Sequence, residues 1–79
     1  HQAFGELCEG EIYLSVAMEV LKDYGEGKYI IYVNPREISK MTGQKQKNKN
    51  YLLSSGYEIT VKGKEDLKKY EVEIQRNER

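Results

Sequence analysis

The sequence predicts a small α+β domain, with a three-stranded, mostly antiparallel sheet and helices packed on one face. Three observations support this prediction: helical spacing of apolar residues near the N-terminus, a β-branched and aromatic run at 28–33, and two alternating segments after residue 56. The predicted order is helix, strand, helix, helix, strand, strand. A chain of 79 residues suits a single domain of this kind.

The first helix is predicted over residues 11–24. Ile12, Val16 and Val20 lie four residues apart, and a second apolar row fills the adjoining face. The members of that second row are Tyr13, Ala17, Leu21 and Tyr24. Gly25 and Gly27 end the helix, because either glycine can take the positive φ of a helix C-cap.

Residues 28–33 form the predicted central strand. Their side chains show no regular polar alternation, which favours a strand covered on both faces. Asn34 and Pro35 follow at once and indicate a helix start, since asparagine caps free amides and proline fits the first helical position. Glu37 lies three residues after the cap, so we expect its carboxylate to reach back to the Asn34 amide. This helix should run to about Met41.

Gly43 begins a wholly polar stretch that breaks the apolar pattern and continues to Asn50. A second short helix is predicted from about Lys47 to Ser55, and Gly56 ends it. An alternative interpretation joins the two helical pieces into one longer, interrupted helix. We favour the break at Gly43.

Two alternating strands complete the predicted sheet. Residues 57–62 alternate apolar and polar side chains, and residues 70–75 repeat the pattern. The connection 63–69 is longer than a tight hairpin needs, so we expect Leu67 to pack a turn of helix onto the core.

The composition limits the class of protein. Residues 1–10 lack periodicity and residues 76–79 are mostly charged, which predicts a flexible arm and a charged tail around one domain at 11–75. No apolar run in the sequence is long enough to span a membrane. The single cysteine, Cys8, excludes an internal disulfide and favours a reducing, cytoplasmic location. Because the chain lacks an initiator methionine, we expect either a tag remnant at its start or a domain cut from a longer protein. A chain this small has a small core, so we also expect a neighbouring domain or a second copy to stabilise it.

The residue types present offer little for catalysis. One cysteine and one histidine, His1, give no zinc-ligand spacing. Paired acids such as Glu9 and Glu11 fall in loops or on exposed faces, where nothing raises a carboxyl pKa. The glycine–lysine pairs lack the flanking residues of a phosphate loop. We therefore expect a non-catalytic protein that needs neither a metal nor another cofactor.

Charge is distributed unevenly along the chain, although the net charge is zero. The N-terminal third is acidic, whereas no acid occurs between Glu37 and Glu58. The lysines in that window are Lys40, Lys45, Lys47 and Lys49. Lysines neutralise phosphates, and the interleaved glutamines and asparagines can hydrogen-bond sugars or base edges. Composition alone favours a plain solvated loop, and a nucleic-acid contact is the alternative interpretation.

The segment Ile30–Gln46 resembles the centre of a KH (K-homology) domain, in which a strand leads into a short helix, a GxxG loop and a second helix. The loop begins Gly43-Gln44-Lys45-Gln46, so its second glycine is replaced by glutamine. In that family the loop clamps the backbone of about four single-stranded nucleotides. The resemblance implies contacts from the following residues: Arg36, Lys40, Gly43, Gln44, Lys45, Gln46, Lys47, Asn48, Lys49 and Asn50.

A wider set of positions is similar to the C-terminal region of ribonuclease E/G proteins. The similar segments are 16–22, 32–35, 57–61 and 70–74, together with Leu67. Cys8 lies where that family carries zinc-linking cysteines, but the CxxC is absent and no zinc link is implied. Both resemblances imply RNA, and we expect a single-stranded RNA-binding domain of a larger RNA-processing protein.

The competing prediction is a protein-interaction or oligomerisation module without nucleic-acid binding. Tyrosines such as Tyr29 and Tyr57 could stack bases, although a place in the core is favoured for them. One exposed patch of Lys45, Lys47 and Lys49, beside Lys40 and away from the acidic helix, would favour RNA. Scattered lysines or a bare apolar face would favour the interaction module.

Overall fold

Strand β1 (Gly27–Val33) is the central strand of a three-stranded sheet. The computed structural model describes residues 9–77. Strand β2 (Tyr57–Gly63) pairs with β1 in parallel, and β3 (Glu73–Arg76) pairs with β1 antiparallel on its other side. The α+β class and the three strands are confirmed, but the sheet is mixed rather than mostly antiparallel.

Three α-helices accompany the sheet within residues 9–77. They are α1 (Glu9–Tyr24), α2 (Ile38–Thr42) and α3 (Lys47–Ser54), with 3₁₀ turns at Pro35–Glu37 and Gln44–Gln46. Both short helices lie between β1 and β2, so the chain crosses over and enters β2 in the same direction as β1. A crossover of this kind produces a parallel pair, whereas a short hairpin would have produced an antiparallel one.

The core lies between the helices and one face of the sheet. On β1, Tyr29, Ile31 and Val33 are buried, while Ile30 and Tyr32 on the opposite face are half-buried. Within residues 9–77 the prediction of cover on both faces is therefore wrong, because Ile30 and Tyr32 are only half-buried. The buried apolar residues are Tyr13, Ala17, Leu21, Tyr29, Ile31, Val33, Met41, Leu52, Tyr57 and Ile59.

Helix α1 begins at Glu9, so Glu9 and Gly10 belong to the helix rather than to the predicted arm. Of the two apolar rows, Tyr13, Ala17 and Leu21 enter the core, whereas Tyr24 at the end of the same row is exposed. The row Ile12, Val16 and Val20 is half-buried and lies outside the core cluster. The rest of the predicted arm, with Cys8, and the last two residues of the predicted tail lie outside the described residues.

The predicted helix cap at Asn34 is confirmed. Its side-chain oxygen Oδ1 accepts a hydrogen bond from the backbone amide of Arg36 at 2.9 Å, and Pro35 occupies the first helical position. Glu37 does not reach back to Asn34 as predicted. Its buried carboxylate accepts a hydrogen bond from the Tyr13 hydroxyl at 2.8 Å instead, because the side chain turns into the core toward α1.

The chain breaks between α2 and α3 at Gly43, as predicted. Gly43 has φ 87° and ψ 160°, and a Cβ at this position would lie 2.8 Å from the backbone nitrogen of Asn48. Lys45 and Gln46 also have positive φ, of 55° and 61°. The chain therefore turns sharply before α3 begins at Lys47.

The connection from β2 to β3 contains turns and no helix, so the predicted helical turn at Leu67 is wrong. The Leu67 carbonyl accepts a hydrogen bond from the Asn34 side-chain amide at 2.9 Å. Tyr70 has a positive φ of 68°, which interrupts the extended backbone, and β3 accordingly begins only at Glu73. Arg76, predicted in the tail, is the last residue of β3.

Replacing Gly43 by alanine tests how closely the loop packs against α3. The positive φ alone costs an alanine about 1–3 kcal/mol, and the added Cβ would also press on the Asn48 backbone. Gly25→Ala is the matched control, since Gly25 has φ 89° but nothing lies within 4 Å of a Cβ built there. In equilibrium urea unfolding both variants should lose stability, and Gly43→Ala should lose clearly more. Equal losses would contradict the close approach of Gly43 to Asn48.

Candidate nucleic-acid interface

The 3₁₀ turn Gln44–Gln46 and the start of α3 carry most of the predicted contacts. Gln44, Lys45, Gln46 and Lys47 are all exposed, and no side chain caps the N-terminus of α3. Lys45 and Lys47 line one hollow of about 410 Å³ together with Gln44. The structure therefore brings two of the predicted lysines together where α3 begins.

Asn48 lies inside the protein, unlike its neighbours in the sequence. It is 3% exposed, and its Nδ2 donates hydrogen bonds to the carbonyls of Gly10 at 2.7 Å and Met41 at 3.1 Å. These bonds hold the start of α1 and the end of α2 against α3. The Asn48 side chain therefore forms hydrogen bonds within the protein and does not face a ligand. Gly43 lets the backbone approach Asn48 closely, and not a ligand as predicted.

The remaining polar residues of α3 lie on different sides of the helix. Residues two apart point about 200° away from each other, so Lys49 faces away from Lys47. Lys49 is half-buried and shares its side of α3 with Leu53, four residues later. Asn50 is exposed and follows Lys47 by three residues, so these two side chains share a side. The three lysines therefore do not form the single exposed patch that would favour RNA: Lys45 and Lys47 lie together with Asn50 beside them, and Lys49 lies apart.

Lys40 borders the same region, but its ammonium is paired. Its Nζ lies 2.6 Å from Glu9 Oε1 and 3.4 Å from Glu37 Oε2. Lys45 lines a groove of about 540 Å³ with Lys40 and Glu9. The other residues of that groove are Gly10, Ser39, Gly43 and Gln44. The basic loop therefore meets the first turn of the acidic helix instead of standing apart from it.

Arg36 lies elsewhere on the surface. It is exposed, and it lines a separate hollow of about 330 Å³ with Asn34, Pro35 and Glu65. The structure does not bring Arg36 into the hollow of Lys45.

Glu9 is held by donors from two distant parts of the chain. Besides Lys40 at Oε1, its Oε2 lies 2.7 Å from Lys69 Nζ and accepts a hydrogen bond from the Tyr70 hydroxyl at 3.2 Å. The hydrogen bonds from Lys40 and then Lys69 lower the pKa of Glu9 to about 2. The same contacts raise the pKa of both lysines above the ordinary value. The Glu9 carboxylate thus occupies the place where an external anion would meet Lys40 and Lys69.

A second, buried set of hydrogen bonds lies beneath this ion-pair cluster. The Tyr13 hydroxyl donates to Glu37, which is 7% exposed, and accepts from the backbone amide of Tyr70 at 2.7 Å. Burial raises the pKa of Tyr13 to about 12, and the neighbouring Glu37 carboxylate adds to the shift. Sequence reasoning missed both sets because no local pattern links Glu9 or Tyr13 to residues near position 70.

Neither a metal site nor a membrane span is found between residues 9 and 77. No three histidine, cysteine, aspartate or glutamate side chains in that range are grouped to hold an ion. None of its helices combines the length and apolar character that crossing a membrane requires. Comparison with protein-family models, with curated proteins and with solved structures finds no match to this chain.

The low pKa of Glu9 predicts a pH dependence of stability. The pKa falls from an ordinary 4.5 to about 2 on folding, so the folded state favours the ionised carboxylate. The resulting stabilisation is complete above pH 4.5 and disappears as the pH falls toward 2. The difference in unfolding temperature between the wild type and Glu9→Gln should therefore be largest near neutral pH, shrink as the pH falls from 4.5 to about 2, and vanish below that.

Glu58→Gln is the control for this measurement. Glu58 is exposed on β2 and forms no ion pair within the described part of the chain. Its substitution should change the unfolding temperature little at any pH. A difference between wild type and Glu9→Gln that stays constant from neutral pH to pH 2 would contradict the ion pairs at Glu9.

Proposed function

We propose that this domain binds single-stranded RNA without catalysing a reaction, through the turn Gln44–Gln46 and the adjoining side of α3. The observation that supports the proposal best is the pair Lys45 and Lys47. Both are exposed, both line one hollow, and neither forms an ion pair within residues 9–77. A larger cytoplasmic RNA-processing protein is the context that we propose for the domain.

Lysines without an ion-pair partner suit a phosphate backbone because they can bind it without first breaking an ion pair with a carboxylate. Each phosphate that a lysine neutralises also releases condensed counterions, which favours binding. Lys40 would have to give up Glu9 and Glu37, so it contributes less than its position suggests. No acid occurs between Glu37 and Glu58, so neither the turn nor α3 adds a charge that would repel the strand.

Amide side chains beside the lysines favour an unpaired strand. Gln44, Gln46 and Asn50 are exposed and can hydrogen-bond sugars and base edges. Base edges are accessible in single strands, whereas the major groove of an RNA duplex is too deep and narrow for side chains to read. The order β1, α2, turn, α3, β2 agrees with the order of elements in the KH resemblance of Ile30–Gln46 and supports the same proposal.

A protein contact on α1 is the second candidate function. Ile12 and Val16 remain half-buried outside the core, and with Glu11 and Ser15 they line a hollow of about 310 Å³. A neighbouring domain or a second copy of the chain would bury this apolar row. Loss of self-association in an Ile12→Ser variant, measured by analytical ultracentrifugation, would favour this function.

The RNA proposal is tested by titrating a short labelled single-stranded RNA at several salt concentrations. Each phosphate contact to a single strand contributes about 0.7 to the slope of log affinity against log salt. The double variant Lys45→Gln, Lys47→Gln should therefore bind more weakly, with a slope lower by about 1.4. Fluorescence anisotropy gives both quantities.

Lys62→Gln is the matched control for the loss of charge. Lys62 is exposed on β2 and alternates with the buried residues, so it points away from the helices. It should leave the affinity and the salt slope nearly unchanged. Unchanged RNA binding in the double variant would exclude the turn as the site, and equal losses in Lys62→Gln would indicate a general effect of charge.

A further inference from the structure

Tyr51 differs from every other tyrosine of the chain. All seven tyrosines lie within the described residues. Those with a ring neighbour or a hydroxyl hydrogen bond are Tyr13, Tyr24, Tyr29, Tyr32, Tyr57 and Tyr70. Tyr51 has neither within residues 9–77, and it is 50% exposed. Because the Tyr51 ring contacts no other ring within residues 9–77, it is available to stack on a ring of a bound ligand.

The position of Tyr51 on α3 places it beside the basic pair. It follows Lys47 by four residues, so the two side chains share a side of the helix with their Cβ atoms about 5–6 Å apart. Side chains on a helix lean toward its N-terminus, which directs the Tyr51 ring over the turn that carries Lys47. The adjacent Leu52 is fully buried, so the ring projects from an anchored part of α3.

We propose that Tyr51 is a stacking platform for one unpaired nucleobase, whose flanking phosphates are held by Lys45 and Lys47. This inference rests on the proposed RNA function and deepens it. Stacking on an aromatic side chain requires a base that is not stacked in a duplex, and it tolerates any base because each has a π face. The site therefore selects single strands over double strands without selecting a sequence.

Leu53 provides an internal comparison on the same helix. It is 56% exposed, slightly more than Tyr51, but it lies two residues further and so points to another side of α3. A stacked base at Tyr51 does not involve Leu53. Comparing substitutions at Tyr51 and Leu53 therefore separates the contribution of stacking to RNA binding from that of exposed apolar surface in general.

The test measures binding to a short single-stranded RNA, to the same RNA as a duplex, and to inorganic polyphosphate. Tyr51→Ala should weaken binding to the single strand on the order of tenfold and leave polyphosphate binding unchanged. Tyr51→Phe keeps the ring and should bind the single strand like the wild type, as should Leu53→Ala. Circular dichroism checks that each variant is folded, which the exposure of both side chains leads us to expect.

The outcomes separate this inference from the function on which it rests. If the wild type binds the single strand and Tyr51→Ala binds it equally well, the stacking role is overturned while the RNA function stands. Loss of polyphosphate binding in Tyr51→Ala would also overturn it, because the ring would then be supporting the basic loop. A wild type that binds no single-stranded RNA would overturn both proposals.

Discussion

The hydrogen bonds of the Asn48 side chain fix the positions of α2 and α3, and these positions determine the conformation of the turn Gln44–Gln46 between them. One amide nitrogen satisfies the carbonyl of Gly10 in α1 and that of Met41 in α2. These two bonds join α3 to α1 and to α2, so this single side chain holds three helices at one point. Gly43 packs against the backbone of Asn48, where a larger residue has no room. The residues between them are therefore directed outward, which is why Lys45 and Lys47 are exposed.

Pairing, more than composition, decides which positive charges can act on a ligand. Lys40 and Lys69 share the Glu9 carboxylate, and Lys40 also faces Glu37. Lys45 and Lys47 have no such partner among the described residues, although Lys45 lines the same groove as Lys40. Although the net charge of the chain is zero, its lysines differ: Lys40 and Lys69 are neutralised by acids, whereas Lys45 and Lys47 are not.

The features that the sequence predicted correctly are those with local causes. The apolar spacing of α1, the cap at Asn34 and the break at Gly43 each depend on residues within a few positions of one another. The sequence also predicts the two helices between β1 and β2 that allow a parallel crossover, but alternation within a strand does not specify which strands pair, so the mostly antiparallel prediction was wrong. The spacing predicts that Glu37 reaches back to Asn34, whereas its carboxylate accepts a hydrogen bond from the Tyr13 hydroxyl on another helix.

The candidate site was predictable to a similar degree. Exposure of Lys45 and Lys47 follows from a polar stretch that no core position requires. Asn48 looks in the sequence like one more polar residue between lysines, and its burial depends on carbonyls 38 and 7 residues away. The role of Glu9 was likewise invisible, since Tyr70, one of its donors, is 61 residues distant.

Mapping backbone amide shifts by NMR while adding a short single-stranded RNA tests the central claim most directly. The largest changes should fall on Gln44–Lys47 and on Tyr51. The changes should be small at Lys28, Thr60 and Lys62, which lie on the face of the sheet opposite the helices. A binding site at the turn Gln44–Gln46 would be contradicted if the changes were concentrated on that face of the sheet or on Ile12 and Val16. It would also be contradicted if no shift changed at saturating RNA.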